Sequence, residues 1–311
     1  MALPIPTAVL RPLLRPVARW TFAPGAWPTV RRRVDLTTRY SPIPTTVRVT
    51  PGTLAGLPTD IHTPHRASAD AVLLYLHGGG FTTGSPRSHR ALAARLAHAC
   101  GVTTYVPDYR LAPEHPCPAA FADATAAYRA LLDVGWPAHR ILVAGDSAGA
   151  ALTLQLAVAA RDELNLPLPA ALGLICPPCE YCLDSLATRT TASTDPVLTV
   201  DLMRRFIDSY STGSTDVSSM DLPLRDLSGL PPMIIEAAGR DVLVDDARGI
   251  ATRARAAKVR VLYTEHPGQG HVFHIMAGLT ADANRAIDRF ATQLRGELDN
   301  AAARATTPTP H

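Results

Sequence analysis

Long apolar runs are missing from this chain. None of its 311 residues falls in a stretch approaching the roughly 18 uninterrupted apolar positions of a membrane-spanning helix, so a helical membrane protein is not expected. Lysine is almost missing as well. Lys258 is the only one, and the remaining basic residues are arginines, which we read as coding bias rather than function. The net charge of +3 is too small to argue for nucleic acid. Acids are absent from residues 1–34, which carry Arg11, Arg15, Arg19, Arg31, Arg32 and Arg33. A secretory signal needs an unbroken apolar segment, and Pro4, Pro6, Pro12, Pro16 and the arginines break every candidate. Nothing apolar follows Arg31–Arg33, as a twin-arginine signal would require. This segment reads as a short basic amphipathic lid, with weak membrane-surface contact as the minor alternative. A cytoplasmic location is the default expectation.

A disulfide framework is also unsupported, because the five cysteines are odd in number. Cys176, Cys179 and Cys182 form C-x-x-C-x-x-C, a spacing that invites a metal or iron–sulfur reading. Such sites need four ligands, and no fourth cysteine follows nearby. The three are therefore expected to be structural thiols, with a CPPC redox couple as the distant second. No metal or cofactor is expected.

What is present is a chain of 47% hydrophobic and 18% charged residues, able to bury one large core. Its organising stretch is Gly145-Asp146-Ser147-Ala148-Gly149. The preceding Ile141–Ala144 is continuously apolar and predicts a buried strand; Ala150–Ala160 predicts a helix. Strand, sharp turn and helix make a G-x-S-x-G into a nucleophile elbow, with the serine in a strained conformation and small flanking residues where strand and helix pass closely. Without that context the pattern is only a glycine-flanked turn.

The rest of the chain supplies a consistent frame. Strands are expected at 45–50, 57–63, 71–76, 102–107, 171–176, 232–237 and 259–265, and helices at 88–100, 119–132, 245–257 and 279–297. From residue 71 onward strands and helices alternate, the pattern of a mostly parallel α/β sheet covered on both faces. The alternation lapses between Pro177 and Leu222, where a loop and one helix at 200–210 read as a lid insertion. The sheet-bearing body is expected over residues 41–300, with a cap from residues 1–40 and 177–222. The Ala/Thr/Pro-rich residues 301–311 are expected to be disordered. In the cap, Leu13, Leu14, Trp20, Phe22, Leu202, Met203 and Phe206 are expected to bury one another.

A serine hydroxyl needs a base to take its proton and a third group to orient that base. Asp241 lies just past the strand at 232–237, and Asp245 and Asp246 compete with it one turn later, where helix capping is their plainer role. Three histidines follow the last strand. His271 sits in the flexible Gly268-Gln269-Gly270-His271-Val272-Phe273 loop, His266 leaves the strand early, and His274 is expected to start the next helix. We therefore expect Ser147, Asp241 and His271 to act together. His77-Gly78-Gly79-Gly80 follows a buried strand, and its glycines can turn backbone N–H groups into a cavity. Gly79 and Gly80 N–H, with Ala148 N–H, are the expected oxyanion donors. A phosphate loop is the rival, but neither glycine spacing of the known phosphate loops is present.

Taken in order, His77-Gly78-Gly79-Gly80-Phe81, Asp108–Glu114, Gly145–Gly149, Asp241-Val242-Leu243 and His271-Val272-Phe273 resemble the bacterial hormone-sensitive-lipase family of esterases, over about residues 40–295. The resemblance implies an α/β-hydrolase fold and hydrolysis of small carboxylic esters of short to medium acyl chain by Ser147, Asp241 and His271. Phe81 and Cys117 are then expected at the substrate pocket. Ala150, Val242 and Cys117 depart from the family pattern, which touches substrate choice more than chemistry. His77 is expected to brace the oxyanion loop rather than react. An amidase, lactonase or deacetylase with the same triad is the enzymatic alternative. A non-catalytic binding relative is the alternative from another class, and a homodimer is compatible with either.

Overall fold

Eight strands form one sheet in the order β1-β2-β4-β3-β5-β6-β7-β8 in a computed structural model that describes residues 5, 7–179, 183–212 and 225–306. They are β1 (Val47–Leu54), β2 (Leu57–Pro64), β3 (Ser68–Leu76), β4 (Val102–Pro107), β5 (Ile141–Asp146), β6 (Ala171–Ile175), β7 (Met233–Ala238) and β8 (Val261–His266). β2 runs antiparallel to β1 and β4, and every other pairing is parallel.

The central strands are buried on both faces, which is why their sequences are continuous apolar runs. Val72, Leu74 and Leu76 of β3 point into one core with helices α4 (Ala119–Asp133), α5 (Ala148–Asp162) and α8 (Val244–Ala256). Leu73 and Tyr75 point to the other face, against α3 (Arg90–Cys100) and α9 (Ala281–Thr306). α9 continues through Thr306, into the segment expected to be disordered. Ala301 is buried, so packing carries the helix past the end of its clear sequence pattern. Residues 307–311 lie outside the described residues.

The segments outside the alternating body are helical. α1 (Thr7–Thr21) and α2 (Trp27–Thr38) precede the sheet, and α6 (Leu183–Thr188) and α7 (Val200–Ser211) lie in the insertion after β6. The two regions meet directly. Trp27 stacks on Phe206 of α7 at 5.6 Å and donates its indole N–H to Ser209 Oγ at 2.9 Å. Phe22 meets the Phe206 edge, and Arg205 donates to Phe22 O. Leu13 and Trp20 depart from the expected burial: both stand about half exposed on the outer side of α1. No described helix is long and apolar enough to cross a membrane.

Candidate active site

Parallel strands of a doubly covered sheet all end on one side, and the chemistry-bearing residues collect there. β5 ends at Asp146, and Ser147 takes φ +50° and ψ −120° in the turn into α5. The turn is possible because Gly149 is bare: a Cβ there would lie 1.9 Å from the Leu76 carbonyl oxygen. Phe81, Cys176 and Val272 also have positive φ, at +59°, +47° and +44°, and each follows the carboxyl end of a strand, β3, β6 and β8 in turn. Left-handed backbone at non-glycine residues costs energy and is kept where surrounding structure enforces it, most often at functional sites.

His271 comes from the loop after β8, and its Nε2 lies 2.9 Å from Ser147 Oγ. Its Nδ1 lies 2.8 Å from Oδ2 of Asp241, in the turn after β7. Asp241 is buried and also accepts from the Leu243 N–H through Oδ1 at 2.9 Å. Burial works to lower the affinity of His271 for a proton, but the Asp241 carboxylate and then Asp195 outweigh it and hold the imidazole above its usual value.

The other candidates are engaged elsewhere. Asp245 is exposed and pairs with Arg248 at 2.9 Å. Asp246 is buried against Arg189 at 2.8 Å, so it ties α8 to the insertion rather than merely capping a helix. His266 bonds Glu236 on β7, and His274 is fully buried beside the same carboxylate at 3.7 Å. Burial alone would raise Glu236, yet His266 and His274 draw it down to about 2, and Arg289 reaches it at 3.1 Å.

Gly79 and Gly80 follow β3 with φ +119° and +60°, and Ala148 opens α5, where the first N–H has no helical acceptor. These three residues border the same cavity as Ser147 and His271. The loop that carries the glycines is anchored from below. Asp146 Oδ1 accepts from Tyr75 OH at 2.7 Å and Gly78 N at 3.0 Å, while Oδ2 faces His89 Nε2 at 3.3 Å. Burial opposes ionisation of Asp146, but His89 and the Tyr75 hydroxyl overcome it and hold the carboxyl low. Burial pushes His77 down to about 3, so it stays neutral, with Nδ1 2.9 Å from Gly78 O and its ring stacked on Tyr109. Arg31 of α2 donates to Thr82 O, Ala112 O and Glu114, so the N-terminal region is fastened to this loop as well.

The cavity measures about 280 Å³ and is roofed by Leu14 and Ala18 of α1 and Leu202, Met203 and Phe206 of α7. Phe81 borders it and stacks on Tyr210 at 4.0 Å. Cys117 does not reach its lining. It is buried in the core, and its N–H donates to Tyr210 O at 2.8 Å. Cys176 and Cys179 are buried and reduced, and they belong to separate core clusters on opposite faces of the sheet. Cys182 lies outside the described residues. Burial, reinforced by Asp241, pushes the Cys176 thiol well up, so it remains protonated beside the relay.

One residue at the site has no sequence signal. Asp195, in the insertion, is buried, and its Oδ1 accepts from Val197 N at 2.8 Å and Leu198 N at 3.0 Å. Oδ2 accepts from Val242 N and His271 N, each at 3.3 Å. Burial, then the Asp241 charge, raises its carboxyl to about 6. An Asp-Pro pair in a loop reads locally as a turn, so only the tertiary contacts expose this role.

A mostly parallel sheet with a strained serine between its central strand and the following helix defines the class: an α/β-hydrolase. A family described as "alpha/beta hydrolase fold" matches residues 73–275. An acetyl-hydrolase of Streptomyces hygroscopicus is 37% identical over 78% of this chain and 85% of its own. Carboxylesterase NlhH of Mycobacterium tuberculosis is 35% identical over 73% of this chain and 74% of its own. Among solved structures, a hormone-sensitive lipase from a metagenome library superposes with a TM-score of 0.88 at 32% identity, over 95% of this chain and 99% of that one. The chain belongs to the α/β-hydrolase fold family and, within it, to the bacterial hormone-sensitive-lipase group of esterases; it is a carboxylic ester hydrolase.

Proposed function

We propose that the protein is a serine carboxylesterase for short- to medium-chain acyl esters, working through Ser147, His271 and Asp241. The observation that carries this reading is the relay of 2.9 and 2.8 Å opening into an apolar cavity bordered by Gly79, Gly80 and Ala148. Asp241 holds the proton of His271 on Nδ1, leaving Nε2 to take the proton of Ser147 as Oγ attacks the ester carbonyl. The carbonyl oxygen becomes an anion met by the three N–H groups. Each such donor is worth about 10²–10³ in rate. The imidazolium then protonates the departing alkoxide, and an acyl-serine remains. Water, deprotonated by the same imidazole, releases the carboxylic acid and restores Ser147.

The N-terminal helices and the insertion act as a cap over this cavity. A series of p-nitrophenyl esters tests both the substrate range and the cap. We expect kcat/KM to be highest for short to medium acyl chains and to fall for long ones that the 280 Å³ cavity cannot enclose. Removal of residues 1–34 is expected to change that preference and lower the Tm. An unchanged profile and unchanged Tm would make the N-terminus a passive tail.

Asp195 is a positioning residue in this scheme, since its charge faces His271 without touching substrate. With Asn in its place, His271 loses one of the carboxylates that raise it, so the acid limb of kcat/KM is expected to move to lower pH. The Asn carbonyl oxygen can accept from only one pair of these N–H groups, and its NH₂ would face the other pair donor to donor, which costs about 1–3 kcal/mol in stability. The wild-type carboxyl is raised in the fold, so its contribution to stability declines as pH climbs from near 3.8 to about 6. Asp195→Asn should flatten that decline. A pH–rate profile and melts across pH check both effects, and an unmoved acid limb would show that the charge is not felt at His271.

A further inference from the structure

α1 has two faces. Leu14 and Ala18 turn toward the cavity, while Val9, Leu13 and Trp20 turn outward and are 62%, 57% and 49% exposed. Val17 borders the cavity yet is also 45% exposed, and Ile5, just before the helix, is 41% exposed. At 3.6 residues per turn the outward residues of the helix fall in one sector, with Pro12 and Pro16 among them and no charged residue between them. Arg15 and Arg19 flank the sector on one side, and both are exposed. Arg33 lies over the Trp20 ring at 5.8 Å. Further along, Tyr40 is 76% exposed with Arg39 over its ring at 4.7 Å. A water-facing helix would carry polar residues in this sector. This one carries apolar residues and tryptophan, edged by arginine.

We propose that the outer face of α1 docks the enzyme onto an anionic lipid surface. A helix that lies in the headgroup plane combines such an apolar sector with cationic flanks and aromatic anchors at the boundary. The charge pattern selects the occupant. Arg15, Arg19 and Arg32 are exposed, Arg33 lies over Trp20, and residues 1–34 hold no acid, which complements anionic headgroups; Arg31 is paired with Glu114 and takes no part. A second copy of the chain placed symmetrically on this face would set one arginine cluster against another, and like charges so placed oppose pairing. Because the opposite face of α1 roofs the cavity, a docked helix would put the acyl pocket at the lipid boundary. The docking does not depend on which ester the pocket accepts.

The test is co-sedimentation of the full chain with vesicles of phosphatidylcholine alone and of phosphatidylcholine with about 30 mol% phosphatidylglycerol. Partitioning is expected to be at least about tenfold greater on the anionic vesicles and to fall steeply as salt is raised. The Leu13→Glu/Trp20→Glu variant changes two exposed side chains that do not border the cavity, so it is expected to lose at least about tenfold in partitioning while retaining hydrolysis of a soluble short-chain ester. That retained activity separates lost docking from lost folding. Equal or absent binding to both vesicle types would overturn the proposal. So would a dimer, seen by sedimentation equilibrium, that the same variant dissociates without any vesicle binding by the wild type.

Discussion

Ser147→Ala is expected to reduce kcat for ester hydrolysis by about 10⁴–10⁶ while leaving the fold intact. The fold should survive because Ser147 Oγ bonds only to His271 among the described residues, and its backbone N–H, which donates to Ile175 O at 2.8 Å, is retained. Substrate should still bind, because the cavity walls and the three N–H groups are untouched. A residual rate over water from those groups is expected to remain. A fluorophosphonate probe should label the wild type at Ser147 and fail to label the variant, which also tests the reading as a mere binding relative. Retention of more than about a tenth of the activity by a folded variant would require another nucleophile.

The second large effect falls on the base and its partner. His271→Ala removes the one imidazole nitrogen that, among the described residues, lies within hydrogen-bond reach of Ser147, and about 10⁴-fold or more in kcat should go with it. Asp241→Asn keeps the shape but no longer demands a proton on Nδ1, so Nε2 is often protonated and unable to accept; a comparable loss is expected. Asp245→Asn and His266→Ala should change kcat little, since Arg248 and Glu236 are their partners. In the wild type, activity should rise with pH as His271 loses its proton, with the midpoint above the ordinary imidazole value near 6.5, because Asp241 outweighs burial. The same shift has a stability sign. Protonated His271 stabilises the fold fully below the unfolded value, and that contribution disappears as pH rises through the folded one. An activity profile with no acid limb would remove His271 from the role of base.

How much of this is legible in the sequence follows the range of the interactions. The elbow is local. Gly145 and Gly149 flank the serine because strand and helix pass within contact distance there, and the apolar run before it and the alanine-rich run after it announce strand and helix directly. The parallel sheet is equally legible, since strands buried on both faces must be continuously apolar and must alternate with covering helices. The Gly79-Gly80 turn follows from the same logic, as positive φ favours glycine.

The choice among three histidines and three acids is narrowed by position, but only the fold brings the groups together. β5, β7 and β8 lie on one side of the sheet and end on the same edge, although more than a hundred residues separate Ser147 from His271, and sequence spacing carries no angle by which an imidazole is aimed. Cys117, expected at the pocket, is instead buried in the core with its backbone N–H bonded to the Tyr210 carbonyl, a contact that no local pattern encodes. The N-terminus shows the same limit. Its composition predicts an amphipathic segment, but which apolar residues face inward depends on where Trp27 meets Phe206 and where Arg31 meets Thr82 O in the glycine loop. Local chemistry therefore determined the elbow, the glycine turn and the alternating sheet. Tertiary packing decided the partners of Asp195, the separation of Cys176 from Cys179 and the outward face of α1, because each depends on distances between chain segments that no local pattern encodes.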